Sequence, residues 1–174
     1  MTVEKKIKNI LKFTKKISLQ NSTKTGFIIG NTAKLINSSN YYTPVRNLGL
    51  MTAGGAIVYS EKQAKKISKL VDGKVDYILV DVEKKIPDNK SIDGETANTE
   101  RVVRENTHKS KLLVYKGNDL SVDAVDSFLS HYYKDSISGL GGKKIVIIGS
   151  GNLGSKLALK LVERGANVTI TRRN

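Results

Sequence analysis

The chain contains no cysteine and no tryptophan, only two histidines and two prolines, and its aromatic content is 6%. Without cysteine there can be no disulfide framework, no cysteine-ligated zinc and no thiol nucleophile. The two histidines, His108 and His131, stand far apart and make no metal constellation, so they read as surface or hydrogen-bonded polar residues. No apolar run approaches the roughly 20 residues of a membrane span, and the N-terminus lacks a signal-peptide core. A membrane partner is therefore not expected, and a cytoplasmic location is the default expectation. Internal repeats, low-complexity tracts and Pro-rich linkers are also missing.

What is present is an ordinary globular composition. The 174 residues are 39% hydrophobic, enough for one or two domains and at least one real core. The net charge of +14 invites a nucleic-acid reading. The distribution argues against it, because the lysines are spread along the chain in pairs such as Lys5-Lys6, Lys15-Lys16, Lys65-Lys66 and Lys84-Lys85, with no aromatic interleaving. A Lys-rich surface is the expectation instead.

The most informative stretch runs from Lys143 to Asn174 (KKIVIIGSGNLGSKLALKLVERGANVTITRRN). An apolar run, Ile145 to Ile148, feeds Gly149, Gly151 and Gly154 at GxGxxG spacing, and Leu153, Leu157 and Leu161 then fall on one helical face. Gly149 would allow a tight turn, Gly151 a close approach to a pyrophosphate, and Gly154 close packing of helix on strand. A helix starting near Asn152 would offer its N-terminal N–H groups to the phosphates, then stop at Gly165 before a β-branched strand, Val168 to Thr171. The expected cofactor contacts are thus Gly149, Ser150, Gly151, Asn152, Leu153 and Gly154. An acidic residue that would bind an NAD ribose is expected at the end of the second strand, but Thr171, Arg172 and Arg173 stand there. Arginine suits a 2′-phosphate, so NADP is favoured over NAD.

A doubly wound nucleotide domain needs about five or six strands, and this stretch supplies two. The expectation is an incomplete domain, from the front part of a longer protein, a split gene product or a truncated pseudo-enzyme. An unpaired half-sheet would also favour association with a complementing C-terminal chain or a homo-oligomer.

Upstream, Val3 to Leu19 reads as an amphipathic basic helix that packs on the domain. Gly26 to Ile29 and Ala56 to Tyr59 read as strands. A helix follows from Ser60, with Ser60 and Gln63 as a capping box and Ala64, Ile67, Leu70 and Val71 as its apolar face. A strand from Tyr77 to Val82, a polar loop containing Pro87 and Gly94, and a strand from Leu112 to Tyr115 come next. A helix from Ser121 is expected to bury Val122, Val125, Leu129 and Tyr132. The order predicts an α/β fold, with Ser136 to Gly142 (SISGLGG) as a hinge between domains.

This layout resembles the shikimate dehydrogenase family and its wider relatives, among them glutamyl-tRNA reductase and methylenetetrahydrofolate dehydrogenase. The residues that carry the resemblance are the Gly-rich stretch with Thr171-Arg172-Arg173, similar to an Asn-Arg-Thr pattern for NADP. More loosely, Phe27-Ile28-Ile29-Gly30-Asn31 resembles the family's opening strand and Asn47-Leu48-Gly49-Leu50 the end of its first helix. It implies a three-layer α/β substrate domain over residues 1–135, followed by the first βαβ unit of a Rossmann NAD(P)-binding domain over 136–174. It implies hydride transfer between NADP(H) and a small polar, carboxylate-bearing hydroxy or keto substrate, an activity of the parent protein that this stretch alone would not complete. The family's paired serines have no clear counterpart, Ser38 and Ser39 lying nearest, which implies a substrate other than shikimate. Finally, it implies a Lys–Asp acid–base pair, for which Asp81-Val82-Glu83-Lys84-Lys85 offers Lys85 and Gly117-Asn118-Asp119 offers Asp119. Asp119 can equally be read as a residue favouring a helix start.

Overall fold

The computed structural model describes residues 2–33, 41–94 and 96–172, and the chain divides into two compact units between Tyr115 and Lys116. The architecture is α/β, with a mixed and mostly parallel sheet in the first unit.

In the first unit, helix α1 (Val3–Asn21) precedes strand β1 (Lys24–Asn31). The hairpin of β2 (Tyr41–Asn47) and β3 (Met51–Val58) comes next, then helix α2 (Glu61–Val71) and strand β4 (Tyr77–Asp81). A short 3₁₀ turn at Asp88–Lys90, helix α3 (Thr99–Glu105) and strand β5 (Lys111–Tyr115) complete it. The sheet order is β2-β3-β1-β4-β5, parallel throughout except for β2, which pairs antiparallel with β3 at one edge. Tyr41–Asn47, which carries Pro44, was not expected as a strand, and Asn47-Leu48-Gly49-Leu50, which the resemblance implies as the end of a helix, forms the turn between β2 and β3, the Leu48 N–H donating to the Met51 carbonyl at 2.7 Å. An edge strand tolerates proline because one row of its N–H groups needs no partner.

Alternate residues of the strands build the core. Phe27 and Ile29 of β1, Ala56 and Val58 of β3, and Ile78 and Val80 of β4 face Ile7 of α1, Ala64, Ile67 and Val71 of α2, and Val102 and Val103 of α3. All three helices therefore gather on one side of the sheet. The first unit has two layers where three were expected. Helix α1 seats closely because β3 has Gly54 beneath it; a Cβ there would stand 2.8 Å from Ile10 Cγ2.

Helix α2 starts as expected: Ser60 Oγ accepts from the Gln63 N–H at 3.3 Å, and Gln63 Oε1 accepts from the Tyr59 N–H at 3.0 Å. Its first residue, Glu61, is fully buried; the carboxylate accepts from the N–H groups of Ile92 and Asn98, each at 2.7 Å, and lies 3.6 Å from Arg101. These bonds fasten the polar stretch after β4 to α2. Helix α3 lies within that stretch, where only a polar loop is expected, and is capped by Asn98 Oδ1 accepting from the Arg101 N–H at 2.9 Å.

The second unit holds α4 (Gly117–Tyr132), β6 (Lys144–Ile148), α5 (Asn152–Glu163) and β7 (Asn167–Thr171), with β6 and β7 paired parallel. Helix α4 therefore groups with the βαβ unit, and the compact division falls ahead of the expected boundary at 136. Three ion pairs explain this: Asp119–Lys156, Asp123–Lys160 and Asp126–Arg164 join α4 to α5. The expected hinge at Ser136–Gly142 is packed structure. Its Leu140 is buried with Leu161 and Ala166, and the Gly142 N–H donates to the Gly165 carbonyl at 2.9 Å.

The face of α4 also differs from expectation. Val122 is buried and Leu129 packs on the small core, but Val125 and Tyr132 are 39% and 69% exposed. The rotation brings Asp126, 5% exposed, inward onto Arg164, whose guanidinium grips it with two hydrogen bonds of 2.9 and 2.6 Å.

Candidate functional site

The Gly-rich turn between β6 and α5 has the geometry its glycines suggest. Gly149 takes φ of +113°, open to glycine and strained for other residues. Its N–H donates to the Thr171 carbonyl at 3.0 Å, sewing the turn to the end of β7. Gly151 caps α5 with extended backbone, and a Cβ built on it would meet nothing within 4 Å, so a ligand has room to approach. At Gly154 the opposite holds: a Cβ would run into the Gly149 carbonyl oxygen, so only glycine lets the helix lie this close. Ser155 steadies the first turn, its N–H donating to the Gly151 carbonyl at 2.9 Å and its hydroxyl to the Ser150 carbonyl at 3.2 Å.

The expected cofactor residues thus come together: Gly149, Ser150, Gly151, Asn152, Leu153 and Gly154 line the turn and the start of α5, and Thr171 stands beside Gly149. Leu153 is 43% exposed, so of the three expected face leucines only Leu157 and Leu161 join the small core. Arg172 follows Thr171 and is exposed. Arg173, Ser38 and Ser39 lie outside the described residues.

Lys85 sits beyond the C-terminal end of β4. Its ammonium is 2.7 Å from Asp81 Oδ2 and 2.9 Å from Glu83 Oε2. Burial works against its charge, but the hydrogen bonds to the two carboxylates outweigh burial and raise the pKa above the ordinary lysine value. The group is a firmly protonated donor. It borders a cleft of about 310 Å³ that Thr96, Asn98 and Arg101 also line. Asp119 lies in the first turn of α4, in the second unit, where Lys156 holds its carboxyl below the usual range. The two expected catalytic residues therefore belong to different compact units.

Two residues near Lys85 were not anticipated. The parallel strands run β3-β1-β4-β5, so the connection leaving β1 runs to β2 and β3 on one side and that leaving β4 runs to β5 on the other, and the carboxyl ends of β1 and β4 form a topological switch point. There Asn31, 5% exposed, donates from Nδ2 to the Asp81 carbonyl at 2.8 Å; its Oδ1 is buried with no hydrogen-bond partner among the described residues. Tyr115 ends β5 beside Asp81, and burial, with Asp81 and Glu83 nearby, pushes its hydroxyl up to about 12. Strand-end position is the signal that could have found both.

Among the described residues, no group of three or more His, Asp or Glu is arranged to hold a metal ion, and no helix is long and apolar enough to cross a membrane. No protein-family model matches the chain, and no characterised protein matches it in sequence.

Proposed function

We propose that the chain carries the substrate side and the first nucleotide-binding βαβ unit of an NADP-dependent oxidoreductase of the shikimate dehydrogenase type. The observation that carries this reading is the turn at Gly149–Gly154: one glycine in the left-handed region, one open to a ligand, and one pressed against a backbone carbonyl. That cradle fits a pyrophosphate at the start of α5, where helical N–H groups and the positive end of the helix dipole favour an anion. Bound NADP would supply hydride exchange with a hydroxyl-bearing or carbonyl carbon. Arg172 would pair with the 2′-phosphate and so select NADP over NAD.

On the substrate side, Lys85 would donate a hydrogen bond from Nζ to the substrate oxygen, its charge secured by Asp81 and Glu83. Asp119, kept ionised by Lys156, is in the state that accepts a proton. The same ion pair also favours a second reading, in which Asp119 only ties α4 to α5 and the chain binds a nucleotide without turning over substrate.

Calorimetric titration with NADPH and NADH tests the proposal. Wild type should bind NADPH more tightly. Arg172→Ala should weaken NADPH about 10-fold, the loss of one charge-assisted contact, and leave NADH unchanged. Gly154→Ala should remove binding of both. A folded chain that binds neither dinucleotide would sink the cofactor assignment. Tight NADPH binding with no calorimetric signal on adding carboxylate-bearing hydroxy acids, the same in wild type, Lys85→Met and Asp119→Asn, would favour the second reading.

A further inference from the structure

The outer surface of the first unit concentrates positive charge. From Lys5 to Ser60 the sequence contains no aspartate or glutamate, and its described residues include Lys5, Lys6, Lys8, Lys12, Lys15, Lys16, Lys24 and Arg46. Helix α1 turns its apolar side to the sheet: Ile7 is buried in the core, and Val3, Ile10 and Leu11 pack against it. Its opposite side is left with Lys5, Lys8, Lys12, Lys15 and Lys16, all exposed. Helix α2 packs beside α1 on the same side of the sheet and adds the exposed Lys62, Lys65, Lys66 and Lys69.

Acidic side chains do little to offset this surface. The two helices contain only Glu4 and Glu61. Glu4 pairs with Lys66 at 2.6 Å, and Glu61 is fully buried and bonded to backbone N–H groups. The contrast with the second unit is direct, since there Lys156, Lys160 and Arg164 each meet an aspartate of α4.

We propose that the α1–α2 surface of the first unit binds the phosphate backbone of duplex nucleic acid. Helix α1 has 19 residues and is therefore about 28 Å long. Positions 5, 8, 12 and 15 rise about 5 Å apart along it, a row of cations running alongside a polyanion with a charge every ~1.7 Å of axis. Lysine is a flexible point charge without the planar fork of arginine, so the row engages phosphates and leaves base edges unread. Binding is accordingly independent of sequence and steeply dependent on salt. A bilayer is the poorer fit, because the apolar side of α1 is committed to the core and its outer side exposes only Phe13 and Leu19 among large apolar groups.

The test is fluorescence anisotropy with a labelled 20-base-pair duplex across a salt series, beside flotation with phosphatidylserine-containing vesicles. Three proteins are compared: wild type, Lys8→Gln/Lys12→Gln/Lys15→Gln, and a control, Lys90→Gln/Lys111→Gln/Lys134→Gln, with the same net charge change. Near 0.9 of salt slope is expected per phosphate contact, so the α1 variant should lose about 3 from the slope of log K against log salt. Its affinity at 0.1 M salt should fall more than 10-fold, with the melting temperature unchanged, while the control keeps the slope of wild type. An equal loss in the control would reduce the effect to net charge and overturn the assignment. Absence of duplex binding by wild type would overturn it as well, and so would vesicle binding in its place.

Discussion

The two compact units are built at different scales. The first closes a five-stranded sheet over a core that includes the fully buried Phe27, Ile29, Ile67 and Ile78, and uses its charged residues mainly outside that core. The second has two strands and a small buried cluster of Leu140, Leu161 and Ala166, and leaves Val146 and Ile148 65% and 91% exposed. Beside that small core it has one ion pair with a buried partner, Asp126–Arg164, while the exposed pairs Asp119–Lys156 and Asp123–Lys160 contribute little.

That contrast can be broken first at the cores. Phe27→Ala should cost the first unit about 3–5 kcal/mol, since its neighbours are close-packed strands that cannot collapse into the space. Leu161→Ala should cost the second unit nearer 2 kcal/mol, because its sparsely covered surroundings relax into the gap. Urea unfolding followed by hydrogen exchange in each unit measures both; equal losses would mean that the second core is as tightly packed as the first.

An effect smaller than that of Phe27→Ala is expected at Glu61, the one fully buried acid of the first unit among the described residues. Glu61→Ala strands the N–H groups of Ile92 and Asn98 and should cost about 2–3 kcal/mol, with those two amides exchanging fastest relative to wild type. Unchanged exchange there would show that the polar stretch is held by other contacts.

The smallest and most specific effect is in acid. Arg164 holds the Asp126 carboxyl below its ordinary value, and Lys156 does the same for Asp119. A depressed folded pKa means that the stabilisation is complete above the unfolded value of about 3.9 and is lost as pH falls through the lower folded value. The second unit should therefore loosen below about pH 4, seen as faster exchange in α4. Asp126→Asn should be less stable than wild type at pH 7 and show a shallower decline in acid. A decline identical to that of wild type would assign the acid sensitivity to another carboxylate of the second unit, such as Asp119, whose carboxyl the hydrogen bond from Lys156 lowers.

Which parts were legible in the sequence follows from the range of the interactions. The β6–α5–β7 unit could be read because its apolar run, glycines and helix are contiguous. Helix α2 could be read for the same reason, through Ser60 and Gln63. Helix α3 could not, since the stretch leading into it is fastened by Glu61, 37 residues before Asn98. Helix α4 was read in the wrong rotation because periodicity ranks Val125 and Tyr132 above Asp126 for burial, and Arg164 reverses that ranking. Asn31 and Tyr115 became site residues only when β1 and β5 were placed on either side of β4.

By itself, the order of residues determined the α/β alternation, the start of α2 and the glycine pattern of the turn, because steric freedom and side-chain periodicity act over a few neighbours. Only the tertiary structure decided which helices share a side of the sheet, where α4 belongs, and how the lysines of α1 and α2 come to lie on one side of the first unit. Those outcomes depend on charges and apolar faces far apart in sequence, whose energies exist only once the chain has brought them within contact distance.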